Sequence, residues 1–215
     1  SWMIAINLAV KEQLVFGRDF IFTCGPLGFL WTGMFIHVPI IYIVTFHLIL
    51  LISLIFILSF YLKKLPTPLS KIFFALIILS TSTNIYFEKA LMLLLIFLFF
   101  LFYYLENKKR NALYFAGFIS LITFFIKLNT GLVITASLLV FVSLLPFIKY
   151  EKISFSFGYL TTYILSIFIA SYFLRVDVLE YLINSLHIIM QYNEGNSLPA
   201  PLNILLLALL ILLIF

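Results

Sequence analysis

The chain alternates long apolar runs with short polar breaks. Seven apolar runs stand out, at residues 39–62, 72–87, 90–105, 112–126, 132–148, 153–174 and 202–215. The runs at 39–62 and 153–174 are long enough to cross a hydrocarbon core of about 30 Å with some tilt, and the shorter runs cross as parts of a packed bundle. Because lipid offers no hydrogen-bond partner to the backbone, each run is predicted to be helical. The pattern predicts an all-α, polytopic transmembrane bundle of about seven helices.

Two further segments outside these runs carry polar side chains at helical spacing. In residues 176–195 four polar side chains recur at helical spacing and draw one stripe on an otherwise apolar helix: Glu180, Asn184, His187 and Gln191. Such a helix lies in the membrane interface or against the bundle. Residues 1–16 show the pattern more weakly, with Asn7 and Lys11 on one face.

The predicted organisation therefore has four parts. Residues 1–38 form an outer segment with an interfacial helix and a re-entrant turn, and residues 39–174 form six transmembrane helices. Residues 175–201 form a second outer segment with an interfacial helix, and residues 202–215 begin a seventh transmembrane helix. Since the chain opens on Ser1 and ends inside an apolar run, we expect it to be a piece of a longer polypeptide.

Composition supports the membrane class. Hydrophobic residues make up 65% of the chain and charged residues 10%, against about 25% charged in a soluble domain. The net charge of +5 comes from 13 scattered Lys and Arg residues, which make no basic face for a nucleic-acid backbone. Nucleic acid is therefore excluded as a partner, and the lipid bilayer is expected instead. Cys24 is the single cysteine and cannot form an internal disulfide.

The charged breaks divide into two sets when helices alternate direction. One set is basic, with two acids among many cations: Lys63, Lys64, Lys71, Glu106, Lys108, Lys109, Arg110, Lys149, Glu151 and Lys152. The positive-inside rule places this set in the cytoplasm. The other set carries the remaining acids, so the first segment and its Arg18–Asp19 pair are predicted to face outward across a cell membrane.

Candidate chemistry lies at these outer breaks. Asp19 follows Arg18 and precedes a Gly-Pro turn, which suits a general base held at the interface; the alternative is a surface ion pair of little energetic value. Lys127 ends an apolar run and is a candidate for binding an anionic headgroup or phosphate, or is an interfacial lysine between two helices. Glu88 and Lys89 form a similar outer break, either functional or simple punctuation.

Metal-site patterns are weak. His37 and His47 lie ten residues apart and His187 is distant, so no pair of histidine ligands has zinc-type spacing. Each histidine is interpreted as a bundle or interface residue. Cys24 is interpreted as a small apolar filler.

Three segments resemble a known family. The stretch "GRDFIFTCGPLGFL" from Gly17 is similar to a Gly-x-Asp-Phe-x-Phe-Thr-Tyr-Gly-Pro-Leu-Gly motif of multi-pass proteins resembling the GT-C glycosyltransferases. The stretch "FFIKLNTGL" is similar to a Leu-Thr-Lys-x-x-x-Gly-Leu stretch near the outer end of a helix in aminoarabinose-transferase-like and mannosyltransferase-like members. More loosely, "IMQYNEGNSLP" resembles a Tyr-containing outer-loop segment of the same group. The resemblance covers essentially the whole chain, as the N-terminal half of such a protein lacking its first helix.

The resemblance implies transfer of a sugar from a polyprenyl-phosphate donor to an acceptor on the extracytoplasmic face. It gives Asp19 the role of general base and Lys127, helped by Arg18 or Lys89, the role of phosphate-binding cation. Glu88 would orient the sugar or acceptor. Many relatives carry paired acids in the first loop, whereas Asp19 stands alone here, so the use of a divalent cation such as Mg or Mn is left open. The alternatives are a transporter or flippase and a non-catalytic subunit of a membrane assembly.

Overall fold

A computed structural model describes residues 2–34, 36, 38–72 and 88–196, without the side chains of residues 88, 189 and 192–196. These ranges are helical, with no strand. The helices are α1 (Trp2–Lys11), α2 (Gly28–Thr32), α3 (Ile40–Lys64), α4 (Glu88–Asn107), α5 (Arg110–Ile126), α6 (Leu128–Leu144), α7 (Ile153–Leu174) and α8 (Val178–Asn196). Residues 68–72 are helical too. The all-α prediction is confirmed here, while the predicted helices at 72–87 and 202–215 lie outside the described residues.

Three helices are long and apolar enough to cross a membrane: Ile40–Lys64, Lys89–Asn107 and Ile153–Leu174. Helices α5 and α6 are apolar but have only 17 residues each, or about 25 Å of helix. These properties indicate a membrane protein. The bundle of seven spanning helices stays a prediction.

The core of the bundle lies where α4, α5 and α6 pack side by side. Its buried residues include Phe97 and Tyr104 from α4, Leu113 from α5, and Ile134 and Leu138 from α6. Helix α3 packs on the other side of α4 through a second apolar cluster. The order of the helices along the chain is therefore also their order in space from α3 to α6.

A polar cluster inside the bundle joins α5, α6 and α7. The hydroxyl groups of Ser120 and Tyr163 lie 2.6 Å apart, and each lies 3.0 Å from the hydroxyl of Thr135. Ser120 is fully buried, so these bonds satisfy groups that would be costly to bury alone. The cluster fixes the register of the three helices.

The turn between α5 and α6 corrects one prediction. The sequence predicted a break over residues 127–131 and a helix from 132 to 148, but α6 runs from Leu128 to Leu144. Lys127 alone separates the two helices, in an extended conformation with φ −150° and ψ 113°. A Cβ atom on Gly131 would overlap the backbone of Phe124. Glycine at this position thus permits a tight helical hairpin, and the polar residues after Lys127 form the first turn of α6 instead of a loop.

The first helix corrects another prediction. Asn7 was expected on a polar face with Lys11, but Asn7 is completely buried while Lys11 is exposed. The Asn7 amide donates to the carbonyl of Met3 at 2.9 Å. The buried face of α1 consists of Ile6, Asn7 and Ala9, so Asn7 and Lys11 do not form a common polar face.

Many basic residues gather at one end of the bundle, here called the basic end and defined by Lys64, Glu106, Lys108, Arg110 and Glu151. An ion pair joins Lys64 of α3 to Glu106 of α4. Arg110 of α5 donates to both carboxylate oxygens of Glu151, at 3.1 and 2.7 Å. Lys127 lies at the opposite end of α5. Which end faces the cytoplasm stays a prediction.

Candidate functional site

The loop between α1 and α2, residues 12–27 and here called the first loop, docks on the α5–α6 turn. The backbone of Cys24 forms an isolated antiparallel β-bridge with the backbone of Lys127. The backbone amide of Leu128 donates to the carbonyl of Thr23 at 2.8 Å, and the amide of Gly25 donates to the carbonyl of Ile126 at 3.2 Å. The two segments that carry the family resemblance most strongly are therefore bound to each other.

Gly25 makes this docking possible. A Cβ atom at this position would lie 2.5 Å from the carbonyl oxygen of Phe125 and 2.9 Å from the hydroxyl of Tyr181. Both distances are shorter than any ordinary carbon–oxygen contact, so only glycine fits between the α5–α6 turn and α8 without displacement. The Gly-Pro pair of the sequence thus marks a close packing contact as well as a turn.

Trp31 of α2 brings two cations together. The ammonium group of Lys127 lies 4.3 Å from the centre of the indole ring, within the range of a cation–π interaction. The ammonium group of Lys89 donates to the backbone carbonyl of Trp31 at 2.6 Å. Trp31 itself is buried, while both lysines are half-buried. We call Trp31, Lys89 and Lys127 the cationic cluster.

The electrostatics of this cluster favour an anion. No carboxylate of the described residues forms an ion pair with Lys127. An ammonium group that is partly withdrawn from water and held over an aromatic ring attracts a phosphate more strongly than a fully solvated one. The charge of Lys127 therefore suits a phosphate or phosphate ester.

Cys24 lies beside Lys127 but is not reactive. Its thiol is buried, with 2% of the residue exposed, and this burial raises its pKa to about 11 despite the nearby ammonium of Lys127. A thiol with this pKa is neutral at physiological pH and is a poor nucleophile. The structure agrees with the interpretation of Cys24 as a small apolar filler.

Asp19 lies in a separate part of the first loop. Its carboxylate accepts bonds from Arg18 Nε and from the backbone amide of Val15, each at 3.1 Å. These hydrogen bonds, first from Arg18 and then from Val15, lower the pKa of Asp19. The carboxylate is ionised at neutral pH, as a base must be, but its basicity is reduced. No hydrogen bond or ion pair among the described residues joins Asp19 to Lys127.

A second acid, which the sequence did not predict, lies near Arg18. Phe16 pairs with the connection between α7 and α8: its amide donates to the carbonyl of Arg175, and the amide of Asp177 donates to the carbonyl of Phe16, both at 2.9 Å. Asp177 thereby comes close enough to help Asp19 raise the pKa of Arg18. We call Arg18, Asp19 and Asp177 the acidic cluster.

Residues 19–24 connect the acidic cluster to the cationic cluster. Even fully extended, the five backbone steps from Asp19 to Cys24 span no more than about 18 Å. The two clusters are therefore joined by a short stretch of the first loop, with Cys24, the bridge partner of Lys127, at one end and Asp19 at the other.

Helix α8 supports the first loop along its length. Asn184 donates to the carbonyl of Gly17, and Ser185 donates to the carbonyl of Phe22, both at 2.9 Å. Tyr181 is completely buried beneath Gly25. The predicted polar stripe is present, with His187 and Gln191 exposed, but its role includes holding the loop. Tyr181 and Ser185 were missed because they lie on the apolar face.

The remaining candidate residues are Glu88 and the histidines His37 and His47. The side chain of Glu88 and the whole of His37 lie outside the described residues. His47 Nδ1 lies 2.7 Å from the carbonyl of Ile43 one turn earlier in α3, as expected of a satisfied helix residue. Within the described ranges no group of three or more His, Cys, Asp or Glu residues is placed to hold a metal ion. In this structure the Asp19 carboxylate is bound by Arg18 and by the amide of Val15.

Comparisons of the chain with models of known protein families, with curated proteins and with solved structures find no match.

Proposed function

We propose that this chain is part of the membrane domain of a glycosyltransferase of the GT-C type. It would move a sugar from a polyprenyl-phosphate donor to an acceptor on the extracytoplasmic side of the cell membrane. The proposal rests on the motif resemblance together with one structural observation: the first loop docks on the Lys127 turn and gathers Lys89, Lys127 and Trp31 into one cluster.

The cationic cluster supplies what the leaving group needs. In this reaction an acceptor oxygen or nitrogen attacks the anomeric carbon, and the bond from that carbon to the phosphate oxygen breaks. The departing polyprenyl phosphate gains negative charge, which Lys127 and Lys89 would stabilise. Because the phosphate is already a good leaving group, it requires no general acid.

The acidic cluster would receive the proton of the acceptor. Asp19 is the proposed base, and it is ionised because Arg18 and the amide of Val15 bind its carboxylate. Arg18 would have to turn from Asp19 toward the donor phosphate as the acceptor approaches, which its high exposure allows. Glu88 keeps its proposed role in orienting the sugar or the acceptor.

The test uses membranes that contain the full chain, with a panel of polyprenyl-phosphate hexoses and pentoses as donors. Lys127→Met removes one ammonium and keeps the length of the side chain, and we expect transfer to fall about 100-fold or more. Asp19→Asn is expected to lower transfer by a similar factor. Lys63→Met is the matched control, since Lys63 is an exposed lysine at the basic end.

Two results would contradict the proposal. If Asp19→Asn kept full transferase activity, Asp19 would not be the base. If the chain bound polyprenyl phosphate through Lys127 but transferred no sugar from any donor, the flippase or assembly-subunit alternative would replace the transferase.

A further inference from the structure

A pocket at the basic end has no role in the proposed reaction. It has a volume of about 480 Å³ and lies where α6 ends and α7 begins. Residues from both helices and from their connection line it, among them Pro146, Phe147, Glu151, Ile153, Ser156 and Phe157. It is separated from the cationic cluster by the length of α5 and α6.

Ser156 gives this pocket an unpaired polar group. The residue is 3% exposed, and its hydroxyl has no hydrogen-bond partner among the described residues. Helical serine and threonine side chains usually donate to the carbonyl four residues earlier, as Ser137 and Thr161 do here. Burying a hydroxyl without a partner is unfavourable. The pocket therefore offers a hydrogen bond to whatever occupies it.

The one carboxylate in the pocket is already neutralised. Glu151 accepts two bonds from Arg110 and a third, at 3.0 Å, from the hydroxyl of Tyr104. Its side chain is only 10% exposed. The lysines beside it in sequence, Lys149 and Lys152, are both exposed. The local charge that remains uncompensated is thus positive.

The rim of the pocket is strongly apolar. Phe147 is 80% exposed, Ile153 76% and Phe157 71%. An occupant must therefore combine an apolar chain, an anionic group and a hydrogen-bond acceptor between them. A glycerophospholipid with an anionic headgroup has these three parts in this order.

We propose that this pocket binds an anionic glycerophospholipid of the membrane leaflet at the basic end. The phosphate lies at Lys149 and Lys152, an ester carbonyl accepts the hydrogen bond of Ser156, and an acyl chain covers Ile153 and Phe157. Basic sites of this kind recognise anionic lipids on the cytoplasmic side, the side that the positive-inside rule assigns to this end. The proposal does not depend on the transferase reaction.

Binding is measured on the purified, delipidated full chain by native mass spectrometry. Phosphatidylglycerol is compared with phosphatidylcholine of the same acyl chains. We expect a clear preference for phosphatidylglycerol. The double variant Lys149→Gln, Lys152→Gln should weaken the binding of phosphatidylglycerol by about 30-fold, since each lysine near a lipid surface raises the binding constant about fivefold. Binding of phosphatidylcholine should weaken less, because its choline cation already offsets the charge of its phosphate.

Ser156→Ala separates the pocket from general surface charge. This variant should weaken the binding of both lipids by about fivefold, because the lost hydrogen bond is to the ester group that they share. In the lipid-free protein its Tm should not fall, since the hydroxyl has no protein partner to lose. The matched control is Lys63→Gln with Lys71→Gln, which removes two exposed lysines elsewhere at the basic end and should leave both affinities unchanged.

Three results would overturn the proposal. The first is equal binding of the two lipids. The second is that the control pair loses as much phosphatidylglycerol binding as the Lys149→Gln, Lys152→Gln variant. The third is that glycerol 3-phosphate saturates the pocket and neither lipid competes with it.

Discussion

Replacing Gly25 with alanine tests the docking of the first loop on the Lys127 turn. The added methyl group would meet the carbonyl of Phe125 at 2.5 Å and the hydroxyl of Tyr181 at 2.9 Å. Since the first of these atoms is backbone, the loop rather than the helix is expected to move. Movement would break the bonds from Gly25 to Ile126 and from Leu27 to Phe125.

The cost follows from these contacts. Overpacking of one methyl group costs about 1–3 kcal/mol, and each lost hydrogen bond adds about 1 kcal/mol. With two such bonds lost, the docked state should therefore lose about 3–5 kcal/mol. Opening of the loop should then become about 100- to 4,000-fold more frequent.

Cys24 reports this opening directly. It is the single cysteine of the chain, and burial both shields it and raises its pKa to about 11. Undocking restores an ordinary thiol pKa near 8.5, so maleimide labelling at neutral pH should accelerate strongly. Gly158→Ala is the matched control, because a Cβ atom there meets nothing within 4 Å. Unchanged labelling and Tm in Gly25→Ala would refute the docking argument.

Three further predictions concern other described contacts. Tyr181→Phe removes a buried hydroxyl that has no hydrogen-bond partner among the described residues, so the free energy of unfolding should stay the same or rise by about 1 kcal/mol; a clear loss in chemical denaturation would show that this hydroxyl does form a stabilising bond. Glu151→Gln weakens the ion pair with Arg110, in which the Glu151 side chain is 10% exposed and the Arg110 side chain 52% exposed, and should cost about 2 kcal/mol at pH 7. Arg110 lowers the pKa of Glu151 in the folded protein. The stabilising contribution of the pair is therefore fully present above the unfolded pKa of about 4.3 and is lost as pH falls through the lower folded pKa. The difference in stability between Glu151→Gln and the original chain should vanish in acid. Arg18→Gln should raise the pKa of Asp19 and move the acid limb of transferase activity to higher pH, whereas Arg175→Gln should not; an unmoved limb would show that Asp19 does not govern the rate.

Helix positions were the easiest feature to predict. The run at 153–174 matches α7 residue for residue, and the run at 39–62 differs from α3 only at its ends. Apolar runs of this length have few alternatives to a helix in lipid. The error at α6 arose because Asn129, Thr130 and Gly131 look like a loop, although the first turn of a helix accepts polar residues and glycine.

The composition of the candidate site was predicted only in part. Asp19, Arg18, Lys89 and Lys127 stand out as ions beside apolar runs, and sequence patterns detect such ions well. Trp31 and Asp177 did not stand out, because their roles come from backbone pairing between distant segments. The bridges Cys24–Lys127 and Phe16–Val176 leave no periodic pattern in the sequence, so neither cluster could be assembled before the fold was known.

The two clusters differ in what holds them, and this difference bears on how a transferase would use them. Lys127 is fixed by a one-residue turn between two helices whose register is locked by the Ser120–Thr135–Tyr163 cluster. The acidic cluster depends instead on a loop that α8 supports through a few backbone contacts. In the proposed transferase, Lys127 would therefore hold the donor phosphate from the helix bundle itself, whereas the position of the Asp19 carboxylate would depend on the contacts of the first loop with α8 and with the connection before it.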